Sequence, residues 1–273
     1  MVRRLIVNAD DFGFTPAVTA GILEAHAAGT VTSTSMMVHC PGWDDAVVQA
    51  RATPTLGIGL HLNLVYGAPL AKAPSLTDPA TGHFLPYATL ARRALFGQLD
   101  ARDLAAECEA QLQALSEAGI HATHIDSHKH THAMPVIHRA VAAIAARLGL
   151  PLRRPVESHL RAGDAMSQLH RGAIAMSWRV TSAAAARTRN PDHFAGVSMQ
   201  GKASFAEQFL AAVDSLAAGT TELMVHPGRV DAVLEKIDSY TWERERELEA
   251  LTSAPVRERL GRGDLSLVNF TAL

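Results

Sequence analysis

The sequence lacks the features that mark several large classes of protein. Its 27 acidic and 25 basic residues give a net charge of −2, so no basic excess attracts nucleic acid, and we expect no nucleic-acid partner. It contains two cysteines, Cys40 and Cys108, without a CxxC spacing. This argues against a disulfide framework and a zinc knuckle, and we expect both thiols to be free and buried.

Long hydrophobic runs are also missing. The apolar run after Arg3 and Arg4 is too short for a signal peptide and ends at Asp10 and Asp11. No stretch approaches the roughly 20 apolar residues of a membrane helix, so we expect a cytoplasmic protein. Neither GxGxxG nor GxxxxGK[ST] occurs, which removes the usual support for a nucleotide-binding sheet.

The composition that is present is typical of a globular protein. Hydrophobic residues make up 48% and charged residues 19% of the 273 residues, enough for a sizeable core. Segments with β-type patterns alternate with helical segments from end to end, which indicates a parallel sheet with crossover helices. Thr15 and Pro16 predict the N-cap and first position of the first helix.

The number of predicted strands favours one closed or nearly closed (β/α) barrel. A Pro- and Gly-rich stretch at 65–97 predicts a loop or lid, and an Ala-, Met- and Arg-rich stretch at about 160–190 predicts a helical insertion. We therefore expect a single domain over residues 1–273 with these two insertions. The eight predicted strands are 4–10, 33–39, 56–64, 122–126, 151–155, 193–199, 221–225 and 264–270.

Polar residues follow most of these strands. The carboxyl ends of parallel strands meet at one edge of the sheet, where such folds place their chemistry. The residues expected there are Asn8, Asp10, Asp11, His61, Asn63, Asp126, His128, Arg153, Arg154 and His226.

Histidines are crowded near the middle of the chain, with six of the fourteen between His121 and His138. A surface tag, a pH switch, a metal site and a structural cluster are the alternatives. If the strand remains extended, residues two apart share a face. His124, Asp126, His128, His130 and His132 would then line one wall, with Ser127 pointing away. The same rule places Gly57 and Gly59 below His61, where they would leave open space.

One interpretation of these strand ends is a metal site. Asp11, His61 and His128 supply one carboxylate and two imidazoles, as catalytic zinc sites do, and Asp10 remains free as a base. Each residue also has an ordinary interpretation. Paired aspartates after a strand often form a turn or cap, a single histidine is often a core residue, and the HPG at 226–228 is often a turn.

Five motifs in this order resemble the YdjC family of carbohydrate deacetylases, and they span residues 8–228. The motifs are NADDFG, GLHLNL, HIDSHKHTH, LRRP and ELMVHPG. The resemblance implies an irregular TIM-like (β/α) barrel with one divalent metal that removes an acetyl group from an N-acetylated amino sugar.

The resemblance also implies residue roles. Asp11, His61 and His128 match the metal ligands, Asp10 matches the catalytic base and His226 matches the general acid. Arg153 corresponds to an arginine near the base. The remaining polar residues, Asp126, His130, His132 and Asn63, are expected to contact the substrate or orient the ligands. Zn²⁺ suits the ligand set best, although Mg²⁺ or Co²⁺ also fit an open site.

The expected substrate is an oligosaccharide that contains N-acetylglucosamine, or a glycolipid such as acetylglucosaminyl hopanoid. A glycolipid substrate would imply contact with a membrane surface, for which Met166, Met176 and Trp178 among the helical arginines are candidates. A soluble sugar would favour aromatic platforms, but aromatic content is only 5%. The alternatives are a non-catalytic metal- or sugar-binding barrel and a metallohydrolase of another bond, such as a phosphoester. The sequence leaves monomer and homodimer open.

Overall fold

The alternation of strand and helix forms a parallel sheet that is covered by helices. The computed structural model describes residues 2–157, 172, 174–179, 181 and 188–273. The strands found in these ranges are β1 (Arg3–Phe12), β2 (Ser33–Met36), β3 (Gly57–Leu62), β4 (Ile125–Ser127), β5 (His193–Ala195), β6 (Gly219–Val225) and β7 (Ser266–Leu267).

Helices follow most of the strands and cover the sheet. The α-helices whose full extent lies in these ranges are α1 (Pro16–Ala27), α2 (Trp43–Ala52), α3 (Tyr87–Leu95), α4 (Ala101–Glu117), α5 (Pro135–Leu148), α6 (Phe205–Asp214), α7 (Leu234–Ile237), α8 (Trp242–Thr252) and α9 (Ala254–Leu260). Short 3₁₀ segments lie at Pro74–Leu76, His128–Ala133 and Phe270–Ala272. The apolar core lies between the sheet and these helices.

The sheet curls into an irregular TIM-like (β/α) barrel, and the predicted fold class is confirmed. Its strand order is β4-β3-β2-β1-β6-β5, with β7 also paired to β1, and every pair is parallel. The two edge strands are joined through residues 152–157, because Leu152 bridges Ile125 and Glu157 bridges Phe194. The carboxyl ends of the strands therefore surround one opening.

The predicted strand at 151–155 is reduced to the single bridge of Leu152. Pro151 and Pro155 flank it, and proline has no backbone N–H to donate to a ladder. Several other strands are shorter than their patterns predict. The last strand, for example, covers only Ser266–Leu267 of the predicted 264–270.

The first helix begins as predicted and holds the loop after β6. The Thr15 side chain accepts a hydrogen bond from the Val18 backbone N–H at 3.2 Å, and Pro16 is the first helical residue. A Cβ on Gly21 would lie 2.5 Å from the Gly228 Cα, so only glycine permits this close approach. The HPG loop is thereby packed directly against α1.

The predicted lid at 65–97 contains Pro74–Leu76, a bridge between Thr77 and Phe84, and α3. Two acidic residues of α4 hold the backbone of this 65–97 segment in place. Glu107 accepts hydrogen bonds from the N–H groups of Leu70 and Ala71, and Asp103 accepts one from Ser75.

Three further predictions concern cysteines, membrane segments and the region at 160–190. Cys40 and Cys108 are free and buried, as predicted. In the described ranges no helix has the length and apolar character needed to cross a bilayer.

Most of 160–190, including Met166, lies outside the described residues. Met176 is exposed, but Trp178 is buried against His138 and is not available for a lipid-contacting patch.

Candidate metal centre and active site

An irregularity at the end of β1 directs two successive acids toward the barrel opening. The register against β2 shifts between Ala9 and Phe12, and Asp11 has a φ of 73°. A bulge of this kind re-aims side chains, and a positive φ in a non-glycine residue is sustained only by its surroundings. Regular alternation would place Asp10 and Asp11 on opposite faces, but both line the same cavity.

Asp11, His61 and His128 converge on one point. The Asp11 Oδ1 atom lies 3.1 Å from His61 Nε2 and 2.9 Å from His128 Nδ1, and all three residues are buried. One carboxylate and two imidazoles are the donor set of many catalytic zinc sites, and three protein ligands leave positions open. The predicted convergence is present, and these residues fit a divalent ion.

A second carboxylate orients His61. Its Nδ1 atom lies 2.7 Å from Asp126 Oδ1, an arrangement that leaves Nε2 directed at Asp11. Histidine ligands of metals are commonly held by a carboxylate on the other ring nitrogen in this way. Burial lowers the pKa of His61, but Asp126, Asp10 and Asp11 outweigh it and raise the pKa to about 10. The acids around this ring favour positive charge here, which a bound divalent ion would supply in place of a proton.

The other oxygen of Asp11 contacts an arginine from α8. Arg244 Nη2 donates to Asp11 Oδ2 at 2.7 Å. Burial by itself would raise the pKa of Asp11, but the Arg244 guanidinium and the His128 ring hold it well below the ordinary value. Asp11 is therefore an anion, as a carboxylate that binds a metal ion must be.

Asp10 lies beside this trio and is held by a different set of donors. Arg153 Nη1 and Nη2 donate to its two oxygens at 2.6 Å each. The Asn8 amide donates at 2.9 Å and the Ser35 hydroxyl at 3.3 Å, both to Oδ1. A bidentate guanidinium fixes both the charge and the direction of a carboxylate.

Arg153 also occupies the place that a second ion would need. Asp10, His61 and Asp126 form another group with ligand atoms within 4.8 Å of one another. However, Arg153 Nη2 lies 2.6 Å from Asp10 Oδ1 and 2.8 Å from Asp126 Oδ2. The guanidinium already supplies positive charge between these carboxylates, so the geometry favours a single ion.

A third acid completes the surroundings of Arg153. Glu222 on β6 accepts a hydrogen bond from Arg153 Nε at 2.7 Å. Burial raises the pKa of Glu222 to about 7, opposed by Arg153 and reinforced by Asp126 and Asp10. Three carboxylates thus share one guanidinium, and the protonation of Glu222 sets the net charge below the site.

His226 reaches the same site from the end of β6. Its Nε2 atom lies 3.9 Å from Asp10 Oδ2, which places imidazole and carboxylate on adjoining walls. Its backbone N–H donates to Glu247 at 2.6 Å, and its ring packs edge-on against Tyr240 at a centroid distance of 5.6 Å. Backbone and ring are therefore both held in position.

These groups line a cavity of about 430 Å³. This volume lies in the range of small-molecule sites. Besides the acids and histidines above, its wall includes aromatic, amide and cationic side chains. The lining residues are Asp10, Asp11, His61, Tyr87, His128, Lys129, His130, Val197, Gln200, His226, Asp238, Ser239, Tyr240 and Arg244.

Of the four predicted substrate contacts, His130 lines this cavity and the other three do not. Asp126 is engaged by His61 and Arg153. His132 contacts the Ser127 hydroxyl at 2.6 Å and the Arg153 carbonyl, and burial lowers its pKa to about 3.

The Asn63 side chain forms hydrogen bonds within its own loop. Its oxygen accepts the N–H groups of Val65 and Tyr66, and its amide donates to the Tyr66 carbonyl. The orienting role expected for some of these residues therefore has a structural counterpart in Asp126, whereas Asn63 shapes the start of the predicted lid.

The expectation that alternate histidines line one wall was wrong. Lys129 and His130 have φ values of 55° and 51°, so the chain turns immediately after His128. The His124 ring instead stacks on Phe270 at 3.7 Å, beneath the site. It also fills the space expected below His61, because a Cβ on Gly59 would lie 2.3 Å from the His124 ring.

Arg244 and Glu222 were given no role at the site by the sequence patterns. Arg244 belongs to the run WERERELE, which looks like a solvated helix face, and no local pattern marks it. Glu222 had a usable signal, because it is a charged residue inside the apolar strand TELMV and shares a strand face with Met224 and His226, two and four residues later.

Comparisons with known proteins identify the family of this chain. Residues 4–262 match the family model described as YdjC-like protein. A protein named carbohydrate deacetylase from Brevibacillus brevis is 34% identical, with 99% of each chain covered. Another of that name from Geobacillus stearothermophilus is 33% identical, with 99% of this chain and 98% of the relative covered.

A crystal structure from Enterococcus faecalis V583, described as that of a candidate cellobiose-phosphate cleavage protein, has the same fold. The TM-score is 0.82 at 30% identity, and the alignment covers 100% of this chain and 99% of the other. The family model and the relatives match nearly the whole chain, including every strand end that contributes to the site. The chain therefore belongs to the YdjC-like family.

Proposed function

We propose that this protein is a metal-dependent hydrolase that removes the N-acetyl group from an N-acetylated amino sugar. The observation that carries the proposal is the separation of two roles at the end of β1. Asp11 lies beside His61 and His128. Asp10 is instead held by Arg153, and its Oδ2 atom lies 3.9 Å from His226 Nε2. A site that only bound an ion or a sugar would not require a separately held acid and imidazole.

Asp11, His61 and His128 would hold the ion, most simply Zn²⁺, with Mg²⁺ or Co²⁺ as alternatives. When bound, a divalent ion polarises a carbonyl oxygen and makes water more acidic. The Asp10 carboxylate accepts the proton of the attacking water as the new C–O bond forms. His226 donates a proton to the amide nitrogen as the C–N bond breaks, because an amide anion does not leave unaided.

The class of substrate rests on the relatives named carbohydrate deacetylase. Within that class, an oligosaccharide containing N-acetylglucosamine and a glycolipid such as acetylglucosaminyl hopanoid are the two candidates. The alternative of a phosphoesterase has less support. Many phosphoesterases use two metal ions. Here the Arg153 guanidinium lies between Asp10 and Asp126, where a second ion would have to bind.

Helix α3 supports the glycolipid candidate. It begins at Tyr87, which lines the cavity, and ends at Leu95. Leu95 is 80% exposed, and the adjoining Phe96 is 67% exposed. A rise of about 1.5 Å per residue places this apolar end roughly 12 Å from the cavity wall. With the exposed Arg92 beside it, this end suits the surface of a lipid bilayer.

The test combines metal analysis with acetate release. The purified protein is assayed with N-acetylglucosamine oligosaccharides in solution and with acetylglucosaminyl hopanoid in vesicles. The parent should contain one ion per chain and release acetate. Asp10→Asn should keep the ion and lose activity, and Asp44→Asn on the exposed face of α2 is its matched control. A metal-loaded parent that releases no acetate from any acetylated sugar would refute the proposal.

A Leu95→Ser/Phe96→Ser variant separates the two candidate substrates. If the substrate is lipid-linked, this variant should lose activity on vesicles and keep it on any soluble analogue. Equal activity of parent and variant on vesicles would contradict a role for α3 in surface contact.

A further inference from the structure

Arg244 is a buried cation that reaches the candidate metal centre from a distant part of the chain. Its Nη2 atom donates to Asp11 Oδ2 at 2.7 Å and to Asp238 Oδ2 at 2.9 Å. Its Nε atom donates to the Tyr240 carbonyl at 2.9 Å, and the guanidinium lies over the Tyr240 ring. Its side chain is only 1% exposed, so its position is determined by these partners.

The two oxygens of Asp11 have different partners. Oδ1 faces His61 Nε2 at 3.1 Å and His128 Nδ1 at 2.9 Å, whereas Oδ2 faces only the guanidinium among the contacts found for it. The planar guanidinium matches a carboxylate oxygen in direction as well as in charge. Asp11 therefore presents one oxygen, and not both, to the point where the histidines converge.

A simple stabilising ion pair does not explain this geometry well. A guanidinium beside a dication repels it, so a cation at this place opposes ion binding unless it also improves the ligand. Asp11 further has a positive φ within the β1 bulge, a conformation that its surroundings must maintain. A donor fixed to one oxygen supplies that restraint.

We propose that Arg244 is a positioning residue that fixes Asp11 as a one-oxygen ligand of the divalent ion. Through Asp238, which also lines the cavity, it connects the ion site with the cavity wall. This inference rests on the metal centre of the proposed function and does not depend on which sugar is deacetylated.

The test measures ion binding directly with two Arg244 variants. Zn²⁺ affinity is determined by calorimetry, and the visible absorption of the Co²⁺-loaded protein reports the coordination geometry. Arg244→Met should weaken Zn²⁺ binding by roughly 10–100-fold, as loss of a partner behind a metal ligand does, and should change the Co²⁺ spectrum. Arg244→Lys keeps the charge but cannot span Asp11, Asp238 and Tyr240, and it should not restore either property.

Arg147→Met is the matched control, because Arg147 pairs with Glu109 on the surface. It should bind Zn²⁺ like the parent. If the Arg244 variants do not fold, Asp238→Asn tests the same idea, since it removes one anchor and leaves the Arg244–Asp11 pair; a smaller loss of affinity is then expected. Unchanged affinity and spectrum in the folded variants would overturn the inference.

The outcomes separate this inference from the proposed function. A parent that binds Zn²⁺ and releases no acetate refutes the deacetylase proposal and leaves the role of Arg244 standing. A parent that binds neither Zn²⁺ nor Co²⁺ refutes both.

Discussion

Arg153 holds Asp10 by both carboxylate oxygens, with Nη1 and Nη2 at 2.6 Å from Oδ2 and Oδ1. Both side chains are buried, with Asp10 at the wall of the cavity, and the arginine comes from the irregular chain that joins the two edges of the sheet. Barrel closure and orientation of the proposed base therefore depend on the same segment.

Replacing Arg153 with lysine should separate charge from geometry. Lysine keeps the positive charge but cannot hold both oxygens of Asp10 and also contact Glu222. We expect the rate of acetate release to fall by roughly 10–100-fold, with the ion content unchanged. Steady-state kinetics and metal analysis check this, and a fully active variant would contradict it.

His226 should be required for turnover and not for ion binding. General acid catalysis is typically worth roughly 10²–10⁴-fold, so His226→Gln should lose that much in kcat while retaining one ion per chain. His83→Gln, at an exposed position in the predicted lid, is the control and should behave like the parent. Loss of the ion in His226→Gln would mean that this histidine is a ligand.

A bound ion should stabilise the folded chain, because the ligand trio exists only in the native state. An ion at 100 times its dissociation constant adds about 2.7 kcal/mol to the free energy of unfolding. Urea titrations with Zn²⁺ and with a chelator measure the difference. Asp11→Asn should unfold at the same urea concentration under both conditions, and a variant that still responds to Zn²⁺ would exclude Asp11 as a ligand.

Glu222 should make stability depend on pH in a defined direction. Its folded pKa of about 7 exceeds the unfolded value of about 4.3, so only the folded state keeps the proton between these values. The stabilising contribution is complete below the unfolded pKa and is lost as the pH rises through 7. Glu222→Gln cannot ionise.

The free energy of unfolding of Glu222→Gln should therefore rise relative to that of the parent between about pH 5 and pH 8. The expected change is on the order of 3 kcal/mol at most. Urea unfolding at several pH values measures it, and parallel curves for variant and parent would show that Glu222 keeps an ordinary pKa.

Gly59 should tolerate no side chain. A Cβ there would lie 2.3 Å from the His124 ring, which is itself stacked on Phe270. Gly59→Ala should lower the free energy of unfolding by about 1–3 kcal/mol, as overpacking of a core does. Gly172→Ala, where an added Cβ meets no described residue within 4 Å, is the control. Equal stability of both variants would show that the His124 ring can move.

The sequence by itself determined the features that depend on local pattern. Strand and helix alternation, the Thr15 cap and the grouping of polar residues at strand ends each follow from a few adjacent residues. The convergence of Asp11, His61 and His128 also followed, because parallel strands must bring their carboxyl ends to one edge.

Only the tertiary structure decided the rest. The alternation rule assumes an extended backbone, and it failed where Lys129 and His130 adopt positive φ. Arg244 reaches Asp11 across 233 positions of sequence, a distance over which no local pattern carries information. The side chains that hold the site are therefore selected by packing between distant segments, whereas those that occupy the strand ends are set by the order of the strands.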